Sequence, residues 1–336
     1  MNPLKAKKQL RKDPVTGRWV IVNLDDPKIE FSVTPNTKSS KTCPFCPGQE
    51  AMTPPEILAH GRKTNSKNTP DWQVRVIPNK FPALRIEEKN EKSAMGLYDK
   101  VGGFGAHEVI IETPNHGLEM ADMSLEHLEL VLRVYRERCL DLRKDSRLKY
   151  ILIFKNYGRD SGASLEHPHS QLIALPVVPS RVLQELKGAA KHAEFSERCI
   201  FCDILNQEKS EKTRTVFAQD GFVAVTPFAS RFPFETWLMP TAHASSFDAA
   251  SDEMLRPMAV ALKAVLSKLK KALNDPPFNF MIHTLPLGAE ETDSFHWHVE
   301  IIPHLTQVSG FELGTGFYVN PTPPEMAAEI LRGQQT

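Results

Sequence analysis

The sequence predicts an α+β fold in which one structural unit is written twice. The first observation is spacing. Two C-x-x-C pairs, Cys43/Cys46 and Cys199/Cys202, stand 156 positions apart, while the lone histidines His116 and His243 are offset by 127 and the H-x-H pairs beginning at His167 and His296 by 129. Repeats are sought before anything else because they decide the fold. The second observation is that strand-like apolar runs pair up between the halves. The third is a long helical pattern eight residues after each lone histidine.

The elements follow in order. Arg11 to Val22 (RKDPVTGRWVIV) reads as a turn feeding a strand. Val74 to Ile77, Glu108 to Glu112 and Tyr150 to Phe154 are the strand-like runs of the first half. Ser124 is a plausible N-cap for a helix whose apolar stripe is Leu128, Val131, Leu132, Tyr135, Cys139 and Leu142. Leu172 to Leu175 continues a strand out of the HPH run. Lys187 to Arg198 is a polar helical bridge and the expected boundary between domains 1–186 and 187–336. In the second half, Phe222 to Thr226, Thr236 to Met239 and Phe278 to His283 match the three earlier strands. Ser251 opens the matching helix, with Met258, Leu262, Val265, Leu266, Leu269 and Leu273 on one stripe; Pro257 is tolerable only near its start. Pro321 to Leu331 reads as a short capping helix. Each half is therefore a largely antiparallel sheet with one long helix packed on it.

Composition removes several function classes. The 336 residues suffice for two ordinary domains, and 41 Lys+Arg balance 41 Asp+Glu, so no global field recruits nucleic acid or an anionic membrane. No apolar run approaches the roughly 20 residues needed to span a bilayer, and the charged amino-terminal run has no apolar core behind it, so neither a membrane span nor a signal peptide is expected. A cytoplasmic location follows as an expectation. In that setting two C-x-x-C pairs hold metal more often than they form disulfides, and Cys139 is expected as a buried apolar filler.

The chemistry concentrates in Asn156 to Pro176, which reads NYGRDSGASLEHPHSQLIALP. Residues at i and i+2 of a strand share a face, so His167 and His169 can sit side by side, one holding a metal and the other free to react. Cys43, Cys46, His116 and His167 form one Cys2His2 set, and Cys199, Cys202, His243 and His296 a second. Thiolate and imidazole in a closed tetrahedron suit zinc. The alternative for each pair is a tight turn with buried thiols; two pairs with matching histidines favour metal. His283 and His298 lie near the second H-x-H and could displace a cysteine ligand. His169 is then the nitrogen nucleophile, since a neutral imidazole attacks phosphorus and leaves again, splitting one transfer into two. Gly158 to Ser164 is a loop of small residues able to bring backbone N–H groups to phosphate oxygens, with Ser164 as a donor and Arg159 as a countercharge. Gln171, on the face of His169, can hold a phosphate oxygen but cannot shuttle a proton, which favours transfer over hydrolysis. His60, His107, His127, His192 and His304 read as surface or core histidines. Trp297 replaces Pro168 in the second half and no Ser-Gln follows it, so that half keeps the scaffold without the nucleophile.

These residues resemble the galactose-1-phosphate uridylyltransferase family of the histidine-triad superfamily. The matching stretches are RKDPVTGRWVIV, CPFC, VRVIPNKFPAL, HEVIIETPNH, NYGRDSGAS-x-x-HPHSQ and the second-half CIFC and HWH, over nearly the whole length. The resemblance implies two tandem histidine-triad-like domains and a double displacement. His169 would attack the α-phosphorus of UDP-glucose, release glucose 1-phosphate, and pass the uridylyl group to galactose 1-phosphate. It places Ser164 and Gln171 at the substrate phosphates, Asn156, Gly162 and Ala163 among the other substrate-binding residues and Asn79 and Lys80 at the nucleoside, and implies zinc on Cys43, Cys46, His116 and His167. The second cysteine pair resembles instead a two-zinc branch that includes plant ADP-glucose phosphorylases. Asp26-Pro27-Lys28 replaces a basic run, and Gly310 to Phe317 (GFELGTGF) replaces the lysine- and tyrosine-bearing run that recognises the hexose. That tail comes from the partner subunit in the family, so a homodimer is implied. A phosphorylase of ADP-glucose or of a dinucleoside polyphosphate, using the same His169, is the alternative to the uridylyltransferase; a zinc-organised module without catalysis is disfavoured.

Overall fold

A computed structural model describes residues 7–33, 42–63 and 66–335; the first six residues of the charged amino-terminal run lie outside these. The strands before the first long helix are β1 (Lys8–Lys12), β2 (Trp19–Asn23), β3 (Leu58–His60), β4 (Val74–Pro78), β5 (Lys92–Met95), β6 (Tyr98–Val101) and β7 (Ala106–Ile111). Helix α1 (Leu125–Leu142) follows, then β8 (Tyr150–Tyr157), β9 (His169–Leu175), α2 (Ser180–Ser196) and α3 (Ile200–Glu211). The second half continues with β10 (Thr215–Gln219), β11 (Phe222–Val225), β12 (Thr236–Pro240), α4 (Asp252–Ala272), β13 (Phe278–His283) and β14 (His298–Pro303). Helix α5 (Gly310–Thr315), β15 (Tyr318–Asn320) and α6 (Pro324–Arg332) close the chain.

Ten strands form one sheet in the order β10-β11-β12-β14-β13-β8-β9-β7-β4-β3, every neighbouring pair antiparallel. The order is a near mirror about the β13–β8 seam, with β8, β9, β7 and β4 matched by β13, β14, β12 and β11. The duplication read in the sequence thus appears as two half-sheets joined edge to edge, Phe278 to Ile282 pairing with Tyr157 to Ile153. The expected break at 186/187 falls inside α2, which runs unbroken across it. A small sheet β1-β2-β15 and an exposed β5–β6 hairpin lie apart from the large one.

Both long helices cover one face. The Ser124 hydroxyl caps α1 by accepting the His127 N–H at 3.2 Å, and the predicted stripe from Leu128 to Leu142 is buried. The α4 stripe is buried as well and merges with that of α1 in one core. Each leucine there stabilises by about 1.5–3 kcal/mol through burial alone. Pro257 sits in the second turn of α4, where its missing N–H costs one hydrogen bond. The opposite face carries the chemistry. In the first half, Phe45, Trp72, Ile77, Val109 and Ile111 pack beneath the CPFC loop. In the second half, α2, α3 and the Asp13–Arg18 turn close over Val223, Val225, Trp237 and Met239, with Val15 buried among them. No helix among the described residues is long and apolar enough to cross a membrane.

Candidate active site and metal centres

β9 begins at His169, so the HPH run enters the sheet at its second histidine. The two rings take different neighbours because different nitrogens are tied down. His167 donates from Nε2 to the Thr113 carbonyl at 2.7 Å, which leaves Nδ1 facing the Cys43 and Cys46 sulfurs at 3.7 and 3.6 Å. His169 donates from Nδ1 to the His167 carbonyl at 2.7 Å, which leaves Nε2 as the basic nitrogen. Phe45 of the CPFC turn lies edge-on to both rings.

The His169 ring lines a cavity of about 380 Å³. Asn156, Arg159, Ala163 and Ser164 share that wall, together with His116 and His167. Gly162 shapes the loop rather than the wall: it ends the Arg159–Ser161 turn at φ +92°, a backbone conformation that disfavours a side chain. The second half holds this loop in place. Asn279 on β13 donates to Asn156 Oδ1 at 2.7 Å and to the Ser161 carbonyl at 3.0 Å, and His304 bonds the Asn279 Oδ1. With its oxygen engaged, Asn156 keeps its Nδ2 donors for the cavity.

Below β9 lies a buried charge pair that the sequence does not reveal. Lys155 donates from Nζ to Glu112 at 2.8 Å and to the His169 carbonyl at 3.2 Å. Glu112 in turn accepts from Tyr135 at 3.2 Å and from Ser170. A lysine and a glutamate inside apolar strand runs were the available signal. Burial lowers the pKa of His169 and the Lys155 charge lowers it further, against the His167 hydrogen bond that raises it. Both lowering effects favour the neutral imidazole. Glu119, on the same cavity wall, is pushed up to about 7, first by burial and also by Glu112, with Lys155 opposing.

Gln171, Asn79 and Lys80 are not on this wall. Lys80 is exposed. Gln171 and Asn79 meet at His107, which the sequence reading had passed over: His107 Nε2 lies 2.8 Å from Gln171 Oε1, and Asn79 Nδ2 lies 3.4 Å from the same oxygen.

The ligand atoms of Cys43, Cys46, His116 and His167 all lie within 4.8 Å of one another, as do those of Cys199, Cys202, His243 and His296. Cys46 Sγ stands 3.4 Å from His116 Nδ1; in the second set Cys202 Sγ stands 3.4 Å from His243 Nδ1 and 3.6 Å from His296 Nδ1. A tetrahedral ion with bonds of about 2.3 Å to sulfur and 2.0–2.1 Å to nitrogen requires about 3.5 Å between S and N. The donor sets fit such an ion. Burial and the adjacent Cys43 raise the Cys46 pKa, a cost that a bound cation would reverse. His243 donates its Nε2–H to the Thr292 carbonyl at 3.0 Å, the kind of support that fixes a ligating tautomer.

His283 and His298 do not join the second set. With Glu185 they form a separate buried cluster in which the rings stack at 4.8 Å and His283 lies 2.9 Å from Glu185 and 3.4 Å from Glu300. Burial opposes a charge on His283, but Glu185 and Glu300 outweigh it and raise its pKa to about 9. His298 is the structural counterpart of His169 and also bonds the carbonyl two residues back, at 3.1 Å. Its ring is sealed by Phe201, Trp237, Phe295 and His283.

Comparison with known proteins gives a consistent result. The model described as galactose-1-phosphate uridyl transferase, N-terminal domain, matches residues 2–179, and that of the C-terminal domain matches residues 151–329. ADP-glucose phosphorylase of Arabidopsis thaliana is 38% identical over 96% of this chain and 92% of its own length. Galactose-1-phosphate uridylyltransferase of Thermotoga maritima is 31% identical over 96% of this chain and 98% of its own. The crystal structure of the Arabidopsis ADP-glucose phosphorylase with bound ADP-glucose superposes with a TM-score of 0.82, at 35% identity over 98% of this chain and all of that one. Fold, site and relatives define a nucleotidyltransferase enzyme. The chain belongs to the galactose-1-phosphate uridylyltransferase family.

Proposed function

We propose that the protein transfers a nucleotidyl group from a nucleotide sugar to a phosphate acceptor through a covalent intermediate on His169. The observation that carries this reading is the tautomer of His169: Nδ1 donates to the His167 carbonyl at 2.7 Å, and the basic Nε2 edge belongs to a ring on the wall of a polar cavity. Nε2 forms a bond to the α-phosphorus as the bond from that phosphorus to the bridging oxygen breaks, and the hexose 1-phosphate leaves with the electron pair. A second phosphate oxygen then attacks the same phosphorus and frees the imidazole. Asn156, Ser164, Arg159 and the Gly158–Ser164 backbone meet the charge on the equatorial oxygens. Zinc on the two Cys2His2 sets would tie the CPFC and CIFC turns to the H-x-H segments; it supplies rigidity.

The motifs alone put UDP-glucose and galactose 1-phosphate first as donor and acceptor. The likeness to the plant ADP-glucose phosphorylase, 38% against 31% for the Thermotoga uridylyltransferase, supports the alternative as well. ADP-glucose as donor and inorganic phosphate as acceptor, giving ADP and glucose 1-phosphate, stands beside uridylyl transfer to galactose 1-phosphate as a reading of comparable support. A homodimer completing the hexose site belongs to both.

Incubation with α-labelled ADP-glucose or UDP-glucose, acid-free quenching and peptide mass spectrometry tests the reading. A nucleotidyl adduct on His169 is expected; its discharge to ADP by phosphate selects the phosphorylase. If neither donor nor a dinucleoside polyphosphate labels His169, covalent transfer is wrong. Discharge only by galactose 1-phosphate selects the uridylyltransferase.

A further inference from the structure

We infer that His107 is a positioning residue that fixes the orientation of the Gln171 carboxamide, so that Gln171 presents only hydrogen-bond donors to the phosphoryl group carried by His169. This deepens the proposed function and rests on it. The geometry is a chain of forced choices. The Ala83 backbone N–H donates to His107 Nδ1 at 3.0 Å, so in the neutral ring the proton sits on Nε2. That N–H lies 2.8 Å from Gln171 Oε1 and donates to it. Asn79 is held beside them: its Oδ1 accepts the Phe81 N–H at 2.9 Å, which leaves Nδ2 3.1 Å from His107 Nε2 and 3.4 Å from Gln171 Oε1. The short contact to that oxygen is the one from His107. What Gln171 has left is Nε2 with its two N–H groups.

An amide can meet a ligand with either end, and the two ends are chemically opposite. An oxygen facing the phosphoryl group would repel it and could accept a proton from water. An N–H pair facing it stabilises the negative oxygens and gives water no base. β9 places Gln171 two residues beyond His169 on the same face, about 7 Å along the strand. Gln171 stands off the cavity wall that His169 lines, so its carboxamide would meet the phosphoryl group from the next position on the same strand face.

The second half supports the assignment. By register Glu300 is the counterpart of Gln171, since Gln171 pairs with Val109 and Glu300 with Trp237. Two residues before Val109 stands His107; two before Trp237 stands Glu235. Glu235 also accepts a backbone N–H, that of Arg231 at 2.6 Å, and Arg231 bonds Glu300 at 2.6 Å. The equivalent positions are thus linked in both halves, but by different means: Arg231 bridges Glu235 and Glu300, whereas His107 meets Gln171 directly.

The test is a double-mutant cycle read on the single-turnover rate of His169 nucleotidylation, with kcat and KM for the donor measured alongside. H107L is expected to lower the rate about 10–100-fold, mainly in kcat, because a small misplacement at a reacting centre costs that much. In a Q171A background the same change is expected to cost less than threefold. H107Q, whose amide can supply a donor near the Nε2 position, is expected to recover most of the loss. Losses from H107L and Q171A that multiply, a wild-type rate in H107L, or an H107Q as slow as H107L would each overturn the inference. If H107L fails to fold, H107S takes its place in the same cycle. Failure of the wild-type protein to label His169 with any donor would remove the underlying reaction instead, and is seen before any variant is made.

Discussion

His169 and His167 are two residues apart and differ only in which nitrogen is tied. That difference predicts different consequences of losing each ring. His169→Gly removes the attacking nitrogen, so turnover should fall by at least 10⁴-fold, on the order of the loss of a catalytic nucleophile, with metal content and melting temperature near wild type. Loss of metal from this variant would mean that His169, not His167, is the ligand. Glu119 offers a pH test. Its pKa is raised from the ordinary 4.5 to about 7, so its contribution to stability is complete below about 4.5 and is lost as pH rises through 7. The shift corresponds to something on the order of 3 kcal/mol. Urea midpoints at pH 5 and pH 8 should therefore diverge more in the wild type than in Glu119→Gln; equal divergence would place the carboxyl in water. The histidines, cysteines and glycines of this site were legible because each is a rare residue at a fixed spacing. Lys155, Glu112 and His107 were not, because a single polar residue in an apolar strand carries no sign of the partner across the sheet.

Among elements, the two C-x-x-C turns do the same work in different settings. CPFC sits in a loop followed by a single turn, Glu50–Met52, whereas Cys199 is the N-cap of α3 and Cys202 lies in its first turn. Both pairs face one histidine from a loop and one from the segment entering a strand. A bound ion would add a direct link between elements already packed together, so its loss is felt as stability. Cys199→Ser should lower zinc from two to one per chain and destabilise by about 3 kcal/mol or more, a fall of roughly 5–10 °C in Tm. Wild-type metal content with wild-type Tm would show that the second set holds no metal. Strand runs and both long helices were readable from period and caps. The full length of α2, Ser180–Ser196, was not, because the expected bridge began only at Lys187 and the turns before it carry no separate signal.

The whole molecule is asymmetric in chemistry although near-symmetric in topology. The sequence displays the repeat but not that the halves share one sheet, since β8–β13 pairing joins strands more than a hundred residues apart. That seam lets a residue of the second half hold the loop beside His169: Asn279 bonds both Asn156 Oδ1 and the Ser161 carbonyl. On the proposed function the second half should not react in its own right, because Phe201, Trp237, Phe295 and His283 enclose His298 and Val15 packs into the apolar cluster around them. Two outcomes follow together. Intact-mass measurement after donor exposure should find one nucleotidyl group per chain, never two. Asn279→Ala should nonetheless slow the formation of that single adduct by about tenfold, the scale expected when a supporting hydrogen bond is lost and a cavity donor is freed to turn. A second adduct on His298 would show that the enclosed histidine can open to solvent. An unchanged rate in Asn279→Ala would show that the first half holds its own loop, and that the shared sheet serves stability alone.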